Sequence, residues 1–400
     1  MAVMSSTGWN RAATAQLPLP LLLAVLSLLP CSTYGQAVPR TDTPRAGTLR
    51  VTFEPVITTW DREFTSDGHE RQVGASLFSE TKPPLECTRV GVVVCRYLFT
   101  PVFVHVERRV TPLTLEFGIT NRLAVGAKLP LVRVNTRETF PLDSLGKPGF
   151  PQAAQRLDSI LRDSTYAFAP IAETTRRLRY FAGDVELEAK YRFLESPRHA
   201  LSAALLVRLP TGHQDSPNDL FDVATGDHQT DIEVRVAQEL TLFDRLWLNA
   251  LVRAGRQQPG TRTRRVGPES VLLIPRAALA TLDWDPGDYV GIDVAPLFRF
   301  SGSFGVGLTA GYYTQQRDRY SYRSAQDSIA VATRLGAPVA ASILDAGTAL
   351  RWTRLGIAMT YQGSDVEGGL TIEQTVKAAG GLVPVATVFR IVMRTSLRPF

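Results

Sequence analysis

The chain has 400 residues, 44% of them hydrophobic and 20% charged, with a formal net charge of +6. No Pro/Ser/Gly-rich linker divides it, so the composition argues for one large closed sheet and against a string of soluble domains. The positive charge is spread along the sequence; its one dense run, Thr261-Arg-Thr-Arg-Arg265, has no interleaved aromatics or nucleic-acid motif. It reads as a solvated loop that at most touches anionic lipid headgroups, and no nucleic acid is expected as a partner.

Leu17–Pro30 is an apolar run behind Arg11, too short and too broken by proline to span a bilayer as a helix, and small residues follow in Ser32–Ala37. That is the organisation of a secretory signal cleaved after Gly35 or Ala37, which sets a signal segment at 1–36 and a single domain at 37–400. Cys31 follows an apolar run as a lipid-bearing cysteine does, but Pro30 stands where such signals need a small residue. With Cys31 removed, Cys87 and Cys95 remain, an even number in an exported chain. A disulfide closing a small loop is expected, with two free buried thiols as the alternative.

Leu49, Val51, Phe53, Pro55 and Ile57 alternate with Arg50, Thr52, Glu54 and Thr58 up to Trp60, a period of two that predicts the first strand. Residues 61–110 read as a long, partly structured loop with candidate extra strands at 90–96 and 102–108. Strands two and three carry Leu113, Leu115, Phe117 and Ile119 before Asn121, and Leu123, Val125, Ala127, Leu129 and Leu131 after it. Within the insertion 135–181, Leu157, Ile160 and Leu161 have helical spacing in 151–164. The clearest alternation sets Asp184, Glu186, Glu188, Lys190 and Arg192 against Val185, Leu187, Ala189, Tyr191 and Phe193. After a turn at Glu195–Arg198 it resumes with Leu201, Ala203, Leu205, Val207 and Leu209. These are strands four and five.

A polar, turn-rich stretch at 211–228 leads to strand six, where Ile232, Val234 and Val236 oppose Asp231, Glu233, Arg235 and Glu239. A turn at Phe243-Asp244 opens strand seven, in which Trp247 and Leu251 share the polar face. Residues 268–285 read as a loop with a helix around Arg276–Leu282. A hairpin about Ser301-Gly302, a long loop at 316–345 and strands at 346–361, 365–377 and 384–399 complete the chain.

This reading gives twelve strands. The short connections centre on 121, 195–198, 243–244, 301–302 and 362–364, whereas five of the six others run from 18 to 50 residues. An even count with alternating short and long connections is the pattern of an all-β, transmembrane, antiparallel up-and-down barrel with short periplasmic turns and long external loops that hold short helices. The polar parity then faces the lumen. Its candidate lining is Glu54, Glu116, Lys128, Asp184, Glu186, Glu188, Lys190, Arg192, Arg208, Asp231, Glu233, Arg235, Asp293, Arg299, Arg354, Glu373, Arg390 and Arg394. Such mixed charge is either a paired network that fills the lumen or the wall of a pathway.

The strings LEFGITNRLAVGAKLPLV (115–132), GDVELEAKYRF (183–193), VRLPTG (207–212) and, after a polar loop, TDIEV (230–234) resemble a family of outer-membrane proteins of the meta-cleavage pathway of phenol degradation. The resemblance covers about residues 111–256. It implies a barrel in the outer membrane of a Gram-negative-type bacterium that admits small hydrophobic or aromatic compounds, with a more distant similarity to the long-chain fatty acid transporter. The alternating strand that closes at Phe400 resembles the signal read by the barrel-assembly machinery, although Phe400 falls on the parity of Arg390, Arg394 and Arg398.

The expected function is passive uptake of a small apolar solute, with the apolar loop segments 151–164, 271–282 and 327–344 covering the mouth. A structural or adhesive barrel with a self-plugged lumen and a general porin are the alternatives. The expected surroundings are outer-membrane lipid and lipopolysaccharide. An enzyme is not expected: His69, His105, His199, His213 and His228 fall in loops, at turns or at strand ends, and no nucleophile, base and orienting acid share a face. No cofactor is expected either. His213, Asp215, Asp219, Asp222, Asp227 and His228 crowd the third external loop, where oxygen ligands suit Ca²⁺. They lack EF-hand spacing, and a plain hydrophilic loop is the simpler reading.

Overall fold

The computed structural model describes residues 40–73, 85–90, 92–97, 103–139, 158–170, 176–220, 222–226, 228–268, 271, 273–300, 303–363 and 366–397. The segment expected to be a signal, 1–36, and Phe400 lie outside the described residues. Period-two alternation becomes twelve barrel strands: β1 (Leu49–Phe53 and Val56–Trp60), β2 (Phe103–Gly118), β3 (Leu123–Thr139), β4 (Arg176–Ala182 and Glu186–Glu195), β5 (His199–Arg208), β6 (Asp231–Leu242), β7 (Leu246–Gln257), β8 (Tyr289–Arg299), β9 (Phe304–Gln315), β10 (Arg351–Gln362), β11 (Val366–Ala379) and β12 (Thr387–Leu397). Each pairs antiparallel with the next. Leu49 of β1 stands opposite both Phe117 of β2 and Leu397 of β12, so the sheet closes on itself; only above the closed ring does a segment, Arg176–Ala182, pair on one side alone among the described residues.

Burial decides which face is which. Leu115, Leu187, Leu205, Val234, Ile292, Leu308, Ile357 and Met393 are exposed on the outside, while Arg50, Glu186, Asp231 and Glu233 are buried inside. A soluble sandwich has the opposite arrangement. A continuous apolar belt of this size is stable only against lipid.

Two strands are interrupted, each for a local reason. In β1, Pro55 brings no N–H to the ladder, and the neighbouring Glu54 N–H reaches Pro112 O at 3.2 Å. In β4 the break is Gly183–Val185, where the Pro-Thr-Gly motif docks. The Thr211 hydroxyl donates to Gly183 O and accepts from Val185 N–H, both at 2.9 Å. Gly212 N–H donates to Asp184 Oδ1 at 2.7 Å. A Cβ on Gly226 would lie 2.3 Å from the Asp184 carboxylate, so only glycine fits there. Asp184, expected on the lumen wall, therefore anchors this loop instead.

The strands run farther out than the alternation suggested. Of the candidate strand at 102–108, residues 103–108 are the outer part of β2, continuous with its membrane part, and 176–182 is the outer half of β4. Pro112 and Pro130 face each other across β2 and β3 and mark where the pattern inverts. Inside that level the inward side chains are Thr114, Glu116 and Lys128; beyond it they are Val104, Val106, Val132 and Val134, all buried. His105, Glu107, Arg109, Arg133 and Asn135 take the outer face. The barrel wall leaves the lipid here and becomes an ordinary water-facing wall around an apolar core that includes Leu161, Phe168 and Leu273.

The long external connections form a structured cap. Gly260–Arg265, Leu279–Asp285 and Arg319–Tyr322 make a three-stranded sheet. Helix α1 (Ala325–Leu335) is capped by Ser324, whose Oγ accepts from Asp327 N–H at 3.1 Å, and the 3₁₀ turn Ala341–Asp345 follows. The helix expected around Arg276–Leu282 is instead a 3₁₀ turn, Arg276–Ala278, running into a strand. Leu282 and Trp284 alternate with Asp283 and Asp285 and bury themselves against Tyr320 and Val266. Of the helix expected at 151–164, residues 158–162 are helical, and 151–157 lie outside the described residues.

The extra strand expected at 90–96 is a separate hairpin, Leu85–Val90 with Val92–Tyr97, in which Cys87 and Cys95 are directly opposed. Their side chains lie outside those described, and no disulfide occurs among the described residues. Of the short turns, the one expected as two residues is three, Phe243–Arg245 between the paired Leu242 and Leu246, with Phe243 and Asp244 both at positive φ, 51° and 59°.

Candidate functional site

The inward faces of β1–β12 bring nearly all the sequence-derived lining residues into one lumen, and most are paired. Lys128 meets Glu186 at 3.2 Å, and Arg208 meets Asp231 at 2.5 Å and Glu186 at 3.5 Å. Arg235 holds Glu188 at 3.1 Å and also hydrogen-bonds Glu233, whose other oxygen accepts from the Tyr289 hydroxyl at 2.5 Å. These short contacts span β3–β6 and the edge of β8. Carboxylates buried this deeply are tolerable only when paired in this way.

Across the lumen the pairs are longer: Arg253 to Asp293 at 3.9 Å, Arg354 to Glu373 at 3.8 Å and Arg390 to Glu54 at 3.3 Å. Glu116 faces Arg50 at 3.6 Å. Lys190 and Arg394 line the same cavity as Asp42 and Arg50. Arg192 sits at the short-turn rim, where it reaches Glu195 at 2.9 Å and Asn121 O at 3.4 Å. Arg299 lies 3.7 Å over the Trp247 ring at the same end.

Sequence reasoning missed a strap across the short-turn mouth. Residues 40–48, ahead of β1, turn into the lumen. Arg40 binds Asp42 at 3.0 Å and Glu367 at 2.7 Å, Asp42 binds Arg50 at 2.5 Å, and Thr41 N–H donates to Glu239 at 2.8 Å. Thr41 and Thr43 are buried. Glu239 already belongs to the polar face of strand six, and parity would also have found Glu367 and Arg253, each in phase with a neighbour already singled out; Arg40 and Asp42 precede any strand and carry no period.

Three cavities follow β7 through the barrel. The outer one, about 740 Å³, lies under the cap, bordered by Phe168, Leu220, Ile274, Trp284 and Tyr313 with Arg208, Arg262 and Arg264. The middle one, about 230 Å³, shares Arg253 with it. The third, about 360 Å³, opens at the short-turn mouth beside Arg40 and Trp247 and shares Asn249 with the middle one. Arg253 and Asn249 are four residues apart on β7 and point the same way. Between the last two cavities Trp247, Ala295, Leu297 and Ala358 form a small apolar cluster.

The cap around the outer cavity is tied by charge. Arg265 donates to Tyr166 O at 2.7 Å, Ile274 O at 2.8 Å and Asn218 Oδ1 at 2.8 Å, and lies 3.6 Å over Phe168. Burial, with Arg276 nearby, draws its guanidinium down to about 10. Burial works against the charge of Asp215, but Arg264 and Arg262 outweigh it and hold the carboxyl below its ordinary range. The acidic loop considered for Ca²⁺ spends its carboxylates on protein: Asp219 and Asp222 hold Arg179 at 2.8 and 2.7 Å, and Asp222 also contacts His213 at 2.9 Å. Asp227 lies outside the described residues. Among the described residues no group of His, Cys, Asp and Glu is placed to hold a metal ion.

No protein-family model matches the chain, and no curated protein does. Solved structures do. The chain is similar to the COG4313 outer membrane channel from Pseudomonas putida F1, with a TM-score of 0.54 and 9% identity over 90% of this chain and 99% of that one. The TodX deltaS2S3 mutant monoaromatic hydrocarbon channel gives a TM-score of 0.37 at 10% identity, covering 92% and 97% of the two chains. A FadL homologue of Pseudomonas aeruginosa gives 0.33 at 10% identity, covering 90% and 99%. The first of these likenesses shows the fold, an outer-membrane-type β-barrel.

Proposed function

We propose that the protein is a passive uptake channel of a Gram-negative-type outer membrane for small hydrophobic or aromatic solutes, exported with residues 1–36 removed. The observation that carries this reading is the succession of three cavities along β7, the outermost walled by apolar and aromatic side chains such as Phe168, Leu220, Ile274, Trp284 and Tyr313 interspersed with arginines and carboxylates. A pocket of that size and lining buries most of a small solute's surface. The COG4313 protein is described as a channel, which favours the same reading. Paired charges across the lumen and the strap at its short-turn mouth narrow the route, which weighs against a general porin. The belt fits outer-membrane lipid and lipopolysaccharide, and the closing strand fits recognition by the barrel-assembly machinery.

The test is flux of an aromatic tracer into vesicles whose outer leaflet contains lipopolysaccharide, alongside conductance in planar bilayers. The expected result is protein-dependent uptake, slowed by Ile274→Arg in the outer cavity, with a small steady current. A large constant current and no effect of Ile274→Arg would establish a general porin. No flux of either kind would establish a structural barrel.

A further inference from the structure

The ion pairs of the lumen are of two kinds, and the difference bears on what the route selects. Along β3–β6 the cations are tightly held, as Arg208 is by Asp231 at 2.5 Å. Along β7–β12, Arg253 and Arg354 stand 3.9 and 3.8 Å from their carboxylates, and Arg390 stands 3.3 Å from its own. At 3.8 Å or more a guanidinium and a carboxylate attract without a hydrogen bond. The Nε of Arg253 and of Arg354 is buried with no hydrogen-bond partner among the described residues, and that of Arg390 faces Glu54 without hydrogen-bond geometry. A guanidinium has five donors in a fixed fork, so this file keeps directed donors unspent. All three line the middle cavity, where five cationic side chains meet three carboxylates. Two of those cations, Lys128 and Arg235, already hold Glu186, Glu188 and Glu233 on the far wall.

The same wall supplies aromatic faces. Trp352 lies 4.1 Å under the Arg354 guanidinium, Tyr313 stacks on Trp352 at 5.2 Å, and Tyr289 lies 5.6 Å from Tyr313. Tyr289, Tyr313 and Arg253 all border the outer cavity. Opposite Arg253 on β8 stands Gly291, where a Cβ would lie 2.5 Å from the arginine Nε, so the glycine lets that side chain lie against the wall.

Resting on the channel reading above, we propose that the preferred solute is a small aromatic monocarboxylate. Its ring travels along the Tyr289–Tyr313–Trp352 face, and its carboxylate passes from Arg253 to Arg354 to Arg390. Fork-shaped donors fit a carboxylate bidentately, whereas a neutral isostere gains much less from them.

The experiment compares radiolabelled benzoate, ionised at pH 7.5, with neutral benzamide in vesicles bearing the full mature protein, and reads the reversal potential in a salt gradient. Benzoate flux exceeds benzamide flux, the reversal potential is that of an anion-selective path, and Arg253→Gln lowers benzoate flux about tenfold, the worth of one lost charged hydrogen bond, while sparing benzamide. Arg253→Lys keeps the anion preference but recovers only part of the flux. Arg354→Gln serves as a second variant, and the heat-modifiable gel mobility of each variant confirms a folded barrel. Protein-dependent flux of benzamide with no preference for benzoate, or a cation-selective potential, would overturn the carboxylate assignment and leave the channel reading standing. Absence of flux for both solutes would overturn both.

Discussion

Replacing Leu187 by arginine and its neighbour Glu188 by leucine asks the barrel which of its faces meets lipid. Leu187 is 45% exposed on the outer face of β4, flanked by Ala127 of β3 and Val207 of β5. Arginine on the lipid face of a barrel costs roughly 2–4 kcal/mol at the midplane and roughly 0–1 near the interfaces. Leu187 stands two residues below the Gly183–Val185 break, toward the outer edge of the belt, so about 2 kcal/mol is expected, or about 30-fold in the folding equilibrium. Glu188 points inward and accepts from Arg235 at 3.1 Å, but Arg235 keeps Glu233 as a hydrogen-bond partner and Glu186 at 3.7 Å. Glu188→Leu therefore costs about one partly solvated charged contact, ~1 kcal/mol. Urea titration of folding into lipid vesicles, read by tryptophan fluorescence and gel mobility, gives both numbers. Equal tolerance, or a larger loss for Glu188→Leu, would mean that the faces are assigned the wrong way round.

Thr211→Val removes two hydrogen bonds that bridge the break in β4 and should lower stability by about 1–3 kcal/mol, measured as an earlier thermal loss of the folded gel band. Val134→Asp buries an unpaired carboxyl in the cap core and should open the external loops to trypsin while the barrel still inserts, whereas Arg133→Asp on the wet face leaves the digestion pattern unchanged. Because Arg264 and Arg262 hold Asp215 below its ordinary range despite burial, its stabilising effect is complete above the unfolded value of about 3.9 and is lost as pH falls through the folded one. Acid below that window should loosen the cap and change the fluorescence of Trp284, whose ring lies 4.7 Å from Arg262, with neutral pH restoring it.

The barrel was legible because a strand with one lipid face and one charged face writes itself as a period of two, and because short and long connections alternate. The outer parts of the strands were hidden by that same habit. Val104 and Val106 are apolar on the parity that holds Thr114 and Glu116 lower down, so a single parity followed through β2 ends the strand at the prolines. The 279–285 strand was masked by Leu279 and Leu282, three apart and helical in spacing, while the period that mattered ran through Ala280, Leu282 and Trp284. The identities of the lumen charges could be read from alternation. Their tightness could not, since the 2.5 Å of Arg208–Asp231 and the 3.9 Å of Arg253–Asp293 depend on how far each side chain must reach in the closed barrel.

The strap also reports on assembly. Arg40 and Thr41 bind Glu367 on β11 and Glu239 on β6, strands five places apart in a ring of twelve and therefore nearly across a diameter. Before β1 meets β12 the curl that sets those two carboxylates on opposite sides of one mouth is not fixed, and the strap has no seat. Once the ring is shut, the segment leading into β1 is held from both sides at once. The seam between β1 and β12 is thus the one that a diametric tether locks, and pulling that seam open requires breaking the tether as well.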